Sequence, residues 1–204
     1  MGIYNMNDLI RAYDRYAEER DQIGLDDRKR LHVQEANRVF NENGAKSILE
    51  VGSGPGNAAK LFLDEGFEIE CVDFSPKMID LVKGKGIVGH LLDCRDVERI
   101  GRAFDGVFSV NCLLHIPRAE LIHVLQSIRN VMNIGGLFVL GLWGGQDFEG
   151  VLENNRYEPA RFFVLHSQHT LLDILPRVFQ IEEYRRTPFG EGQFFHKAVL
   201  RKTA

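Results

Sequence analysis

A chain of 204 residues, 44% hydrophobic and 26% charged, is long enough to enclose one core and a ligand cleft in a single domain spanning 1–204. A formal net charge of −4, with Lys and Arg scattered in no long basic run, argues against generic binding to a phosphate backbone, so a small-molecule partner is expected and no nucleic acid. The three cysteines, Cys71, Cys94 and Cys112, are odd in number, lack paired spacing and sit in or beside apolar segments; this argues against disulfides and a zinc site and suits a reduced, cytoplasmic chain without a metal.

Residues 5–20 place Leu9, Ile10, Tyr13 and Tyr16 at helical spacing, which predicts an amphipathic helix capped by Asn7 or Asp8. Periodicity leaves two roles open for it, packing on the domain edge or a lid over a ligand. A second helix is expected over 26–42, ended by Asn43-Gly44, so 1–42 reads as a helical N-terminal segment. The stretch 48–56, ILEVGSGPG, then runs from a buried strand into Gly52, Gly54 and Gly56. Glycines there tolerate positive φ and let a ligand lie against the backbone, while the next helix offers free N–H groups, which makes this a nucleotide-type loop. Asn57 stands where a dinucleotide loop has its last glycine, and no phosphate loop ending in Gly-Lys-Ser/Thr follows.

A helix over 57–65 and an alternating strand, FEIECVD, come next, ending at Asp73. An acid at that distance from the glycine loop is where a nucleotide-binding α/β unit holds the ribose hydroxyls; the competing role is the cap of a helix opened by Ser75-Pro76. A third strand ends at Asp93, and a short helix over 95–100 follows. A fourth strand, 104–110, leads to Asn111, Cys112 and His115 before Pro117 opens a helix to 132, and NIGGLFVLGLW forms the fifth strand. LFVLGLW is too short to cross a bilayer, and no membrane or export signal is expected. From 144 to 166 the regular pattern breaks, with Phe148, Tyr157, Phe162 and Phe163 arguing for an ordered substrate cover. Ser167 caps a helix, FQIEEYRR is a sixth strand, TPFGEG a turn and QFFHKAVLRK a seventh strand.

The order E-x-G-x-G-x-G at Glu50, Gly52, Gly54 and Gly56 resembles the first motif of class I S-adenosylmethionine-dependent methyltransferases, and VDFSPKMI resembles a later segment of that family. The resemblance covers residues 46–143 by motif and the whole chain by order of elements. It implies an α/β, Rossmann-like sheet of seven strands in the order 3-2-1-4-5-7-6, strand 7 antiparallel, with helices on both faces. S-adenosylmethionine would then be held by Glu50, Gly52, Ser53, Gly54, Gly56 and Asn57, with Tyr16 from the N-terminal helices and Asp73 on the ribose. Phe74 and Met78 would lie along the adenine, with Ser75 also in the donor site, Asp93 and the Cys94 backbone at the adenine edge, and Asn111 and Cys112 beside the donor; Asp96 competes with Asp93. His115 is the candidate general base or acceptor orienter, with a capping or core role left open. Tyr13, Trp143, Tyr157 and Arg161 are the candidate acceptor contacts. The Asn-Pro-Pro-Tyr tetrapeptide of enzymes that methylate exocyclic base nitrogens is missing at 111–114, which counts against nucleic-acid amines. The implied activity is methylation of oxygen, nitrogen or sulfur on a small acceptor by a monomer or homodimer; a nucleic-acid or protein methyltransferase, or a noncatalytic donor-binding protein, is the alternative.

Overall fold

The computed structural model describes residues 4–152 and 155–204. It begins with helices α1 (Met6–Arg15), α2 (Ala17–Ile23) and α3 (Asp27–Glu42). The single helix expected over 5–20 is broken at Tyr16 (φ −107°, ψ 13°), whose ring packs 4.4 Å from that of Tyr157. No Gly or Pro marks the break; a tertiary contact accompanies it, which helical periodicity does not register. Asn5, rather than Asn7 or Asp8, caps α1 by accepting from the Asn7 N–H, and Asp26 caps α3 through the Lys29 N–H.

The parallel strands are β1 (Ser47–Val51), β2 (Glu68–Asp73), β3 (Val88–Leu91), β4 (Phe104–Val110) and β5 (Met132–Gly144), with α4 (Asn57–Asp64), α5 (Pro76–Gly84) and α6 (Leu121–Asn130) on the crossovers. Strands β6 (Phe148–Val151) and β7 (Phe162–Leu165) pair as a separate antiparallel ribbon inside the 144–166 segment, where the sequence pattern shows no strand. After α7 (Gln168–Ile174), β8 (Gln180–Gly190) and β9 (Gln193–Arg201) return as a hairpin. Strand β8 runs four residues further than FQIEEYRR, so the six-residue turn expected at 187–192 shrinks to Glu191-Gly192. The main sheet has the order β3-β2-β1-β4-β5-β9-β8, with β9 antiparallel to both neighbours. This is the expected seven-strand order, the last strand inserted beside the fifth.

Burial explains the strand patterns. Every residue of β1 is buried, and β2 does not alternate as expected: from Ile69 to Asp73 all positions are buried because neighbours and helices cover both faces. One apolar layer joins Phe40 of α3, Phe62 of α4 and Phe108 of β4, with the last two rings 5.0 Å apart. The other joins Val124, Leu125 and Ile128 of α6 and Leu171 of α7 to Phe104 and Phe138. Each such fully buried side chain contributes about 1.5–3 kcal/mol of transfer free energy. The two layers fix the sheet so that the carboxyl ends of β1, β2 and β4 open on one edge, where open α/β sheets bind ligands.

Candidate active site

At the carboxyl end of β1 the backbone passes through Gly52 (φ 72°) and Gly54 (φ 56°) before α4 begins. A Cβ on Gly52 would lie 2.3 Å from the Cys112 Cβ, so only glycine lets this loop touch the end of β4. A Cβ on Gly54 would meet nothing within 4 Å, yet it would project where the loop borders a cleft. One glycine serves a contact and the other serves open space.

The cleft has two lobes. The smaller, about 180 Å³, is lined by Glu50, Ser53 and Asn57; the larger, about 370 Å³, by Asp73, Phe74, Asn111, Cys112, His115, Tyr13, Trp143, Tyr157 and Arg161. Gly52, Gly54, Arg20, Lys29 and Arg156 border both.

Asp73 fastens the loop to the next unit. Its Oδ2 accepts from the Gly54 N–H at 2.8 Å and its Oδ1 from the Ser75 N–H at 2.9 Å. Burial pushes its pKa up to about 6 against those two donors and the nearby Arg20. Glu50, on β1 itself, has an Oε2 with no hydrogen-bond partner among the described residues. Burial lifts its carboxyl to about 8, opposed by the Ala59 backbone on α4. A buried carboxyl with an idle oxygen is ready to meet a cation.

His115 closes a short 3-10 turn, Leu113–His115, and is 4% exposed. Its Nδ1 lies 2.6 Å from the Phe162 carbonyl oxygen, which can only accept, so Nδ1 carries the proton. Its Nε2, 2.6 Å from the Tyr13 hydroxyl, is then the acceptor of the Tyr13 O–H. Burial, with Arg161 and Arg20 nearby, pushes the imidazole down to about 3, so it stays neutral at physiological pH. The Tyr13 oxygen also accepts from Arg161 Nη1 at 3.2 Å. The Arg161 guanidinium sits 3.6 Å from the Tyr157 ring centroid and 5.0 Å from that of Phe163.

Asn111 is the one non-glycine residue with positive φ (55°) among the described residues, and its side chain accepts from the Trp143 N–H at 3.0 Å, tying the ends of β4 and β5 together. Trp143 is 42% exposed at the mouth of the cleft.

Other expected donor contacts lie off both lobes. Ser75 caps α5 through the Met78 N–H and donates to Asp14 at 2.5 Å, and Met78 is fully buried in the packing of α5. Asp93 caps the turn Cys94–Ile100 through the Arg95 N–H and also holds the Arg95 guanidinium at 2.7 Å; Cys94 is buried behind it, and Asp96 is exposed. Tyr16 packs against Tyr157 with its ring tilted and donates to the Arg156 carbonyl, and Gly56 is buried against Val82.

Sequence reasoning missed Arg20, Lys29 and Arg156. Two signals were present. Arg20 follows Tyr13 and Tyr16 at i+7 and i+4, one helical face, and Lys29 stands in the first turn of α3, where the helix dipole disfavours a cation.

Residues 48–136 match the family described as "Methyltransferase domain". The chain is 30% identical over 114 residues to the tRNA N(3)-methylcytidine methyltransferase trm141 of Schizosaccharomyces pombe, and the match takes in 50% of this chain and 46% of that protein. Among solved structures it is similar to the 1,6-didemethyltoxoflavin-N1-methyltransferase of Burkholderia thailandensis, crystallised with 1,6-didemethyltoxoflavin and S-adenosylhomocysteine (TM-score 0.72, 18% identity, 100% of this chain and 92% of that one). It is likewise similar to the N-methyltransferase NodS of Bradyrhizobium japonicum in complex with S-adenosylhomocysteine (TM-score 0.72, 15% identity, 97% and 100%). Residues 48–136 thus carry a methyltransferase domain, and the sheet order with the glycine loop of β1 is the fold of the S-adenosylhomocysteine-bound methyltransferases it resembles.

Proposed function

We propose that this methyltransferase acts on a small-molecule acceptor held in the 370 Å³ lobe. The observation that carries this reading is the roof of the lobe. Tyr13 and Arg20 from 1–42 meet Tyr157 and Arg161 from 144–166 above His115, through the Arg20 to Tyr157 hydrogen bond (3.0 Å) and the Arg161 to Tyr13 hydrogen bond. A lobe of this size under a side-chain roof suits a compact ligand. In this reading 1–42 is a lid and 144–166 a cover within one domain, and the chain works in the reducing cytoplasm as a monomer or homodimer.

The residues present fit the donor. The idle, buried Glu50 carboxylate suits its ammonium, Arg20 and Lys29 its carboxylate, and Asp73 its ribose hydroxyls through the lone pairs that Gly54 and Ser75 leave free. Gly52, Ser53, Gly54 and Asn57 form the floor, Phe74 the adenine side, and Asn111 and Cys112 the side toward the acceptor. Asp93 and Cys94 reach the adenine edge only where Arg95, which bonds both Asp93 and the Tyr4 hydroxyl, gives way.

S-adenosylmethionine, when bound, supplies a methyl carbon already activated by its sulfonium. The protein's part is to align the acceptor atom and exclude water. We assign His115 to positioning rather than proton abstraction: its Nε2 is engaged by Tyr13, and its depressed pKa makes it a weak base. His115→Ala should lower turnover while leaving S-adenosylhomocysteine affinity within about twofold, with His115→Gln restoring part of the rate because an amide can still donate to Phe162 and accept from Tyr13. The wild-type rate should show no imidazole inflection between about pH 6 and 8; an inflection that vanishes in His115→Ala would make it the base.

Calorimetric titration with S-adenosylmethionine, S-adenosylhomocysteine and NADH tests the donor assignment. The first two should bind at micromolar level and NADH not at all. Asp73→Ala should weaken S-adenosylhomocysteine by about 1–3 kcal/mol; unchanged affinity would remove the ribose assignment. The likeness to a tRNA methyltransferase supports a second reading, a nucleic-acid acceptor. Label transfer from methyl-labelled donor into a tRNA pool, exceeding transfer to a small-molecule panel, would favour that reading instead.

A further inference from the structure

The cleft gathers more cations than acids: among the described residues Arg20, Lys29, Arg156 and Arg161 line the larger lobe against Asp26 and Asp73. Arg20, Lys29 and Arg161 line the 370 Å³ lobe, and none has a carboxylate within 4.0 Å among the described residues. The Arg20 Nε is buried without a partner, and Lys29 is held below the usual amine range by burial and by Arg20. The two acids on the same lining act on Lys29 and Arg20: Asp26, which accepts from the Lys29 backbone N–H, favours the charged Lys29, and Asp73, bonded to the Gly54 and Ser75 N–H groups, favours the charged Arg20; neither pairs with Arg161. This accumulation sits in a protein whose overall charge is −4, so it is local to the cleft.

The donor cannot neutralise it. A sulfonium, an ammonium and one carboxylate leave S-adenosylmethionine with a net positive charge, and Glu50 with Arg20 and Lys29 serves its amino-acid end, leaving Arg161 unclaimed. The lining also separates the cations by position. Arg20, Lys29 and Arg156 border both lobes, whereas Arg161 borders the larger lobe alone, beside His115, Tyr157 and Trp143. Its guanidinium sits over the Tyr157 ring and spends Nη1 on Tyr13 and Nε, at 3.4 Å, on Asn155. Nη2 has no hydrogen-bond partner among the described residues and is available to a ligand, on a group whose aromatic neighbours set its orientation.

We propose that the acceptor carries an oxyanion, a carboxylate or a phosphate, and that Arg161 binds it while Tyr157 and Phe163 flank the acceptor's body. This rests on the methyltransferase reading of the cleft. The anion would draw the acceptor to the mouth of the lobe and offset the donor's positive charge once both are inside.

The test uses the full chain saturated with S-adenosylhomocysteine, whose binding is measured first. Benzoate, phenyl phosphate and the neutral benzamide are then titrated, with Trp143 fluorescence and calorimetry as readouts. One of the two anions should bind at least about tenfold more tightly than benzamide, as a charge-assisted hydrogen bond provides, and which of them wins distinguishes carboxylate from phosphate. Arg161→Gln should abolish that preference while leaving S-adenosylhomocysteine affinity within about twofold, and Arg161→Lys should keep only part of it, since an ammonium retains the charge but not the oriented fork. Equal or undetectable binding of all three probes, or a preference that survives Arg161→Gln, overturns the proposal. Anions that bind only by displacing S-adenosylhomocysteine overturn it too, since the cations would then serve the donor. Failure of S-adenosylhomocysteine itself to bind would strike the donor assignment, a separate result read before any probe is added.

Discussion

Gly52→Ala is expected to destabilise the ligand-free protein by about 3 kcal/mol or more, the cost of overpacking added to that of an L-residue at positive φ. The new Cβ would sit 2.3 Å from the Cys112 Cβ and 2.4 Å from its Sγ, at φ 72°. Sγ could swing away about its one side-chain torsion, but the Cβ is fixed to the backbone, so the loop or the end of β4 must move. Cys112→Gly removes both obstructing atoms, and the double variant should recover most of the loss, leaving the roughly 1 kcal/mol of backbone strain. Gly54 is the control. At φ 56°, with open space around its Cβ position, Gly54→Val should cost less stability but eliminate S-adenosylhomocysteine binding by filling the cleft. Urea unfolding of the four variants, with ligand titration of each, separates the two effects. Strictly additive losses at Gly52 and Cys112 would show that the contact does not govern the loop.

Glu50→Gln should change two properties in opposite directions. Burial raises this carboxyl from the ordinary carboxylate range to about 8. In that window the native state holds a proton that the unfolded chain releases, so stability falls as pH rises from the ordinary carboxylate range through about 8. The amide has no such proton, and the variant should exceed the wild type near pH 8.5 by on the order of 2–4 kcal/mol while approaching it near pH 5. Donor binding should suffer, because an ammonium gains from a carboxylate what an amide cannot give; a loss of about 2–4 kcal/mol for S-adenosylhomocysteine is expected. Wild-type binding near pH 7 should release a proton, visible as a buffer-dependent enthalpy that Glu50→Gln lacks. A stability difference that is flat with pH would mean that the carboxyl is solvated, and equal ligand affinity would move the ammonium site elsewhere.

The sheet and its order were readable in the sequence because local signals agreed with the global arrangement. The apolar run of β1, the three glycines, Ser75-Pro76 opening α5 and Ser167 opening α7 are each short-range chemistry, and each is where expected. What the sequence hid depends on contacts made far along the chain. The break at Tyr16 goes with Tyr157, the ribbon of β6 and β7 with pairing across 148–165, and the neutrality of His115 with Phe162 and Tyr13. No window of neighbouring residues contains those partners. The same holds for the cations: Arg20 and Arg161 are 141 positions apart, and only the fold shows that they face one cavity.

Strand β8 forms one border of the main sheet, and its composition bears on how the protein behaves when concentrated. A sheet border presents unpaired backbone groups to any other strand that arrives, the usual start of intermolecular aggregation. Here the bordering strand carries Glu182, Glu183, Arg185 and Arg186, interrupts its register between Ile181 and Glu183 and again between Pro188 and Gly190, and places Pro188 near its tip. Charge, irregular spacing and a residue without an N–H all discourage a second chain from docking there. By interposing β9, the hairpin moves the sheet's boundary from the apolar β5 to this guarded strand, so the topology that completes the fold also protects its colloidal stability.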